Sequence, residues 1–402
     1  MKVKLSFWRV VFILVMAAGL YSTVLRFTKG LGGATNLSDR FPWGLWIGFD
    51  LLCGVGLAAG GFAMAATVHM FNVKRLEPVI RPAILTAFLG YLLVILALLI
   101  DLGRPWNIWH PIIMWNRHSV MFEVAWCVML YTCVLAVEFS PVLLERLGWQ
   151  RVRRWVHTSL PFFVIAGVLL STLHQSSLGL LYLIVPNKLR PLWYSPLLPV
   201  LFFFSALAVG CCMVILESSF SQRAFGHPLS PDIRETLAGM ALVLLVPYGL
   251  LRILDVLQRG ALPLAFAPTV EARLFQLEIV LGLLLPVVLL ALRGVRRHPQ
   301  GQLLAAILTI LGFVVHRMNV SITGMEATLK AGYFPSWTEF SVTVMIVALG
   351  FALFGLVARY LPVFNQEPGP ARTAAVRAGV EVKRAGRWDS QPEGLPSGYP
   401  ST

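Results

Sequence analysis

Apolar residues run through this chain in long unbroken stretches, separated by short segments where Lys, Arg, Pro, Trp and Asn collect. A stretch of about 20 apolar residues spans the hydrocarbon core of a bilayer as a helix. Such stretches recur near residues 7–27, 43–70, 80–101, 120–144, 157–180, 196–220, 231–256, 272–293, 302–318 and 337–361. They are too long and too continuous for the alternating strands of a membrane barrel. The pattern predicts an all-α fold, a polytopic membrane helix bundle of about ten transmembrane helices, with residues 1–362 as one transmembrane domain. Residues 363–402, rich in Pro, Gly, Arg and Ser, read as a disordered tail. The start, Met1-Lys2-Val3-Lys4 before an apolar run, mimics a secretory signal. The run over 5–27 exceeds the usual signal core and no small-x-small site closes it, so it reads as a retained first helix.

Composition excludes the alternatives: 57% of the 402 residues are hydrophobic and only 13% are charged, a balance foreign to water-soluble domains. The net charge of +14 is not evenly spread. Lys and Arg are roughly twice as frequent in segments on the side of the N-terminus as on the other side, which predicts that both termini are cytoplasmic. Membrane lipid of anionic character then accounts for the basic balance, and nucleic acid is not implied. Cys53, Cys127, Cys133, Cys211 and Cys212 all fall inside predicted spans without a CxxC pair, so no iron–sulfur cluster is expected in this chain.

Ionisable groups within the spans carry the functional signal, because burying one in hydrocarbon costs several kcal/mol unless it meets a partner or a wet cavity. Topology orders them by depth. Asp50 lies about two turns below the outer end of the second span, and Asp101 closes the third, with Tyr91 near its middle. Glu123 opens the fourth from outside, and His174 lies in the outer half of the fifth. Arg252 and Asp255 are near the outer end of the seventh and Glu278 about two turns into the eighth. The inner half holds chiefly Glu138 and Glu217. Asp101 and Arg104 stand at a helix end, where a local pair or cap competes with chemistry. Arg252 and Asp255, three residues apart, are expected to pair with each other. Glu123, His174 and Glu217 have no such neighbour in sequence, and Glu217 falls within about one turn of the inner end of the sixth span.

A membrane b-type cytochrome requires paired histidines at equal depth on facing helices. His174 with His316, and His69 with His157, are the pairs to weigh, and three of the four are placed at helix ends. Trp106, Trp109 and Trp115 in one outward loop and Trp193 in another exceed the usual interfacial aromatics and are expected to form a docking face for an extracytoplasmic partner. Gly54-Val55-Gly56-Leu57-Ala58-Ala59-Gly60-Gly61 is a small-residue stripe that lets another helix approach closely.

Several of these segments together resemble a known family. Phe41-Pro42-Trp43-Gly44-Leu45-Trp46 leading into Asp50, Asp101-Leu102-Gly103-Arg104-Pro105, Phe122-Glu123, Leu173-His174-Gln175-Ser176-Ser177-Leu178-Gly179 and Tyr333-Phe334-Pro335-Ser336-Trp337-Thr338-Glu339 resemble the NrfD/PsrC family of quinone-reactive membrane subunits. Within it they look most like the HybB-type branch that serves nickel–iron uptake hydrogenases of the hydrogenase 2 type. The resemblance implies a multi-pass subunit of the bacterial inner membrane that exchanges electrons between an extracytoplasmic ferredoxin-like iron–sulfur subunit and quinone, menaquinone or ubiquinone, with no haem of its own. The nickel–iron hydrogenase large and small subunits would be the further partners. It also implies proton movement through Tyr91, Glu123, His174 and Glu217, with Asp50, Tyr91, Asp101, Glu123 and His174 around the quinone. Quinone reduction needs two protons as well as two electrons, and in an apolar pocket titratable groups must supply them. A haem-bearing anchor, or a related subunit for sulfur, nitrite or multihaem cytochrome systems, is the alternative.

Overall fold

The structure, a computed structural model, describes residues 6–364, so all but Val363 and Phe364 of the expected tail lies outside the described residues. Ten helices are long and apolar enough to cross a membrane. They are α1 (Phe7–Lys29), α2 (Trp46–His69), α3 (Lys74–Asp101), α4 (Val120–Leu147), α5 (Gln150–Leu183), α6 (Leu198–Phe225), α7 (Pro231–Gln258), α8 (Val270–Ala291), α9 (Pro299–Leu329) and α10 (Trp337–Tyr360). The expected count holds, but several spans run further than their apolar stretches. The ninth, expected over 302–318, continues to Leu329, and the sixth continues past 220 to Phe225. Arg, Gln and Ser in these extensions end the hydropathic signal without breaking backbone hydrogen bonding.

Helix packing divides the bundle. Helices α2 to α5 close on themselves, α2 against α3, α3 against α4, α4 against α5 and α5 against α2. Helices α6 to α9 close the same way, and α1 with α10 forms a flanking pair against α2 and α3. The two groups of four meet where α2 and α5 pack on α6 and where α2 packs on α9. Helix α2 is the central member: 78% of its apolar window is buried, against 17% for α1 and for α5. Its glycines explain how it fits. A Cβ on Gly210 of α6 would sit 2.9 Å from the Ala59 carbonyl carbon and the Gly60 nitrogen, so the two backbones touch where the helix is interrupted at Ala58–Ala59. The small-residue stripe therefore serves helix approach.

Three spans contain a widened turn with i→i+5 geometry: Trp46–Cys53 in α2, Val280–Leu284 in α8 and Asn319–Thr323 in α9. Each lies beside a buried polar group, namely Asp50, Glu278 and Asn319. Such bulges re-aim side chains at the cost of ideal backbone bonding and concentrate at sites of function. The two motifs at either end of the chain lock together. Phe41 stacks on Tyr333 at 4.4 Å, the Tyr333 hydroxyl donates to Glu339 and accepts from the Leu45 amide at 2.8 Å, and Ser336 with Glu339 forms a capping box on α10. Burial and the adjacent Glu339 carboxylate push the Tyr333 phenol upward. This clasp ties the segment before α2 to the start of α10.

Candidate functional site

We call the face at which α1 begins the N face and the opposite one the far face. The centre of the α2–α5 group is a pair of side chains from facing helices. Tyr91 of α3 and His174 of α5 share a hydrogen bond of 2.8 Å between Oη and Nδ1, and both are sealed from the surface. One turn further along α5 toward the far face, Ser177 Oγ lies 2.5 Å from Glu123 Oε1 in the first turn of α4. Toward the N face, Thr86 precedes Tyr91 by five residues on α3, about 7.5 Å along the axis. Its hydroxyl donates to Glu217 Oε2 of α6 at 2.7 Å. The four residues expected to act together thus take part in three separate hydrogen bonds at successive depths, Glu123 with Ser177, Tyr91 with His174 and Glu217 with Thr86. Thr86 does not stand out in the sequence and Ser177 is legible only as part of the Leu173–Gly179 motif, because Ser and Thr within spans ordinarily bond their own helix.

Glu217 lies deeper than expected. Because α6 runs to Phe225, eight residues separate Glu217 from the helix end, which is more than two turns rather than one. It forms the polar end of a crevice of about 360 Å³ between α3, α6 and α10, whose walls include Phe220, Phe351 and Phe354.

Asp50 and Asp101 stand apart from this line. Asp50 Oδ2 accepts from Thr343 of α10 at 2.9 Å. Asp101 forms no ion pair with Arg104, which is exposed. Arg26 of α1 instead caps the end of α3, its Nε donating to the Ile100 carbonyl at 2.6 Å and its Nη2 to that of Leu102 at 2.5 Å.

A second buried polar centre occupies the α6–α9 group, and it corrects the expected Arg252–Asp255 pair. Arg252 Nη2 reaches Glu278 Oε1 across to α8 at 3.2 Å, while Asp255 pairs with Arg259 one turn further on at 2.6 Å. Residues at i and i+3 are in reach of each other, but the α7 face that buries Arg252 meets α8. Glu278 is fully engaged: Oε1 also accepts from His316 Nδ1 at 2.8 Å, and Oε2 accepts from Trp193 Nε1 at 2.9 Å and Asn319 Nδ2 at 3.0 Å. His316, expected at a helix end, is in the interior of the long α9 and buried. Arg317 beside it lies 3.4 Å over the Phe202 ring and donates to the Phe202 carbonyl and Ser205.

The expected docking face divides as well. Trp106, Trp109 and Trp115 are exposed on the α3–α4 connection, with Ile112, Ile113 and Met114 exposed among them. Trp193 is fully buried and hydrogen-bonded to Glu278, so it leaves that face for the interior; its apolar ring and single N–H suit a half-polar cavity better than a surface. Among the described residues no three His, Cys, Asp or Glu side chains are grouped as metal ligands.

The family profile of polysulphide reductase, NrfD, matches residues 33–328. A Nitratidesulfovibrio vulgaris (strain Hildenborough) protein whose name states no activity is 41% identical over 366 residues, covering 88% of this chain and 94% of its own length. The probable Ni/Fe-hydrogenase 2 b-type cytochrome subunit of Escherichia coli K12 is 36% identical over 345 residues, covering 85% and 88%. The integral membrane subunit of menaquinone reductase, also from Nitratidesulfovibrio vulgaris, is 29% identical over 398 residues, covering 90% and 93%.

Proposed function

The chain belongs to the polysulphide reductase NrfD family, and from that premise we propose that it is the quinone-reactive membrane subunit of a respiratory oxidoreductase, of the hydrogenase 2 type. It passes electrons between an extracytoplasmic iron–sulfur subunit and a quinone in the bacterial inner membrane, and it moves protons with them. The relatives named for a hydrogenase and for menaquinone reductase support hydrogen as the electron source and menaquinone as the acceptor. With both termini cytoplasmic, the far face is the extracytoplasmic one, where exposed Trp106, Trp109 and Trp115 meet the electron-donating partner.

The observation that carries this reading is the buried Tyr91–His174 hydrogen bond, flanked by Glu123–Ser177 toward the far face and Glu217–Thr86 toward the N face. A quinone reduced near Tyr91 and Glu123 takes its first proton from His174, an imidazole whose two nitrogens accept and donate by turns. Tyr91 holds the ring in register and returns the proton through its own hydroxyl. Glu217 is the carboxyl group that refills the pair from the cytoplasmic side. Asp50 and Asp101 shape the far end of the quinone site without joining this line.

Replacing Glu217 with Gln keeps the bond to Thr86 and removes the titrating group. Quinone-linked turnover is expected to fall by ~10²-fold, the order of one general acid–base group, while hydrogen oxidation with a soluble dye is unchanged. Normal quinone-linked turnover in assembled Glu217→Gln complexes would end the pathway. The relative named as a b-type cytochrome subunit favours a second reading, in which His174 and His316, whose Nε2 atoms have no protein partner, serve a haem. The visible spectrum of the purified chain separates the two, since haem gives sharp bands and quinone none.

A further inference from the structure

The interface between α4 and α5 carries buried polar atoms that the Tyr91–His174 pair leaves unused. Glu138 of α4 is 6% exposed, yet no hydrogen bond or ion pair reaches its carboxyl group among the described residues. Space for it is made by Gly167 of α5: a Cβ there would sit 3.1 Å from Glu138 Oε1 and 3.5 Å from the Tyr131 ring, so both side chains converge on that point. Tyr131 is one fully buried step nearer the centre, its ring edge-on to Tyr91 at 4.7 Å. Its hydroxyl faces that of Ser171. Both, like His174 Nε2, are buried without a well-formed hydrogen bond to protein.

The order along the helices is consistent. Gly167, Ser171 and His174 follow at i, i+4 and i+7 on α5, and Tyr131 and Glu138 at i and i+7 on α4, so each set lines one face. Together they run from Glu138, about 13 Å from the N-face end of α4, to the Tyr91–His174 pair. Buried hydroxyls that meet only each other, beside a carboxyl group with no hydrogen bond to protein, are completed by ordered water where several donors and acceptors converge, as they do here. A carboxyl group with no structural bond to make has no packing reason to sit in a span.

We propose that Glu138 is a second proton carrier, delivering one of the two protons each quinone takes from the N face to Tyr91–His174 through water molecules ordered by Tyr131 and Ser171, while Thr86–Glu217 delivers the other. The inference rests on the quinone-reducing reading above. In each step Glu138 gives its proton to the adjoining water, the water file passes one on to the His174–Tyr91 pair, and that pair protonates a quinone oxygen. Glu138 is then reprotonated from the N face. Two electrons from the iron–sulfur partner and two protons, from the Glu138 and Glu217 branches together, convert one quinone to quinol.

Two measurements on the whole complex test it. An experimental density map resolving water should contain ordered molecules within hydrogen-bonding reach of Tyr131 Oη, Ser171 Oγ and Glu138; a dry interface overturns the proposal. Glu138→Gln, nearly isosteric, should lower turnover with a short-chain naphthoquinone by ~10-fold or more. Dye-linked hydrogen oxidation should be unchanged, and combination with Glu217→Gln should abolish the quinone reaction. Tyr131→Phe, which keeps the ring, should slow the same reaction and raise its solvent deuterium isotope effect. Wild-type turnover and isotope effect in both single variants overturn the proposal and leave the parent reading standing. A wild-type complex that reduces no quinone overturns both.

Discussion

Two buried carboxyl groups show how little the residue type alone decides. Glu278 accepts four hydrogen bonds, from Arg252, His316, Trp193 and Asn319, so its charge is compensated on every side. Glu138 has none of these. The first ties α8 to α7 and α9, and the second is the proposed proton carrier. Glu278→Ala should therefore act on stability first. It leaves the Arg252 guanidinium buried and unpaired, at a cost of about 3–5 kcal/mol, and should lower the thermal midpoint of the detergent-solubilised chain well below that of Glu138→Gln. Equal midpoints for the two variants would contradict the assignment. Both carboxylates are visible in the sequence as charges within spans, but the partners of Glu278 come from two other helices and a loop. The only neighbour that local spacing offers Arg252 is Asp255, and that is the wrong one.

At the scale of elements, packing rests on places where one helix backbone reaches another. Gly312 of α9 and Gly282 of α8 are the tightest: a Cβ added to Gly312 would lie 1.9 Å from the Gly282 Cα, on backbone that has no freedom to yield. Without a hydrophobic drive between helices in lipid, such close approaches supply much of the association. Gly312→Val should force α8 from α9, loosen the contact between Glu278 and His316, and reduce the amount of folded chain recovered from membranes. Gly355→Ala on α10, where an added Cβ meets nothing within 4 Å, should leave recovery at wild-type levels. Recovery of Gly312→Val equal to that of Gly355→Ala would contradict the contact. The widened turns in α2, α8 and α9 belong to the same scale, since each contains or adjoins a buried polar residue, Asp50, Glu278 and Asn319.

For the whole molecule, the two groups of four helices have separate polar centres with a histidine on the last helix of each, His174 on α5 and His316 on α9. The Thr86–Glu217 bond joins α3 of the first group to α6 of the second, so the proposed proton route requires the groups to stay in register. Trp106, Trp109 and Trp115 are exposed on the far face, where the proposed partner would dock. Trp106→Ala and Trp115→Ala should each weaken capture of the iron–sulfur subunit by ~10-fold, the scale of one aromatic anchor, with the chain still inserted and folded. Trp193→Ala should lower stability, because it opens a cavity and removes a donor from Glu278. Unaltered capture in both surface variants would remove the docking face.

The order of apolar runs was enough to establish ten spans and their approximate ends, because a bilayer demands length and continuity from each helix separately. The same order ranked Tyr91, Glu123, His174 and Glu217 by depth, since depth along a helix follows from residue number. Which groups touch was decided only by tertiary structure. Azimuth around each helix, the lateral packing of α2 against α6, and the inward turns at Asp50 and Asn319 fix that, and none of them leaves a one-dimensional trace in a sequence that is apolar on every face. Hence the contacts of Ser177, Thr86 and Glu138 emerged only with the fold, and Trp193 moved from the surface to the core.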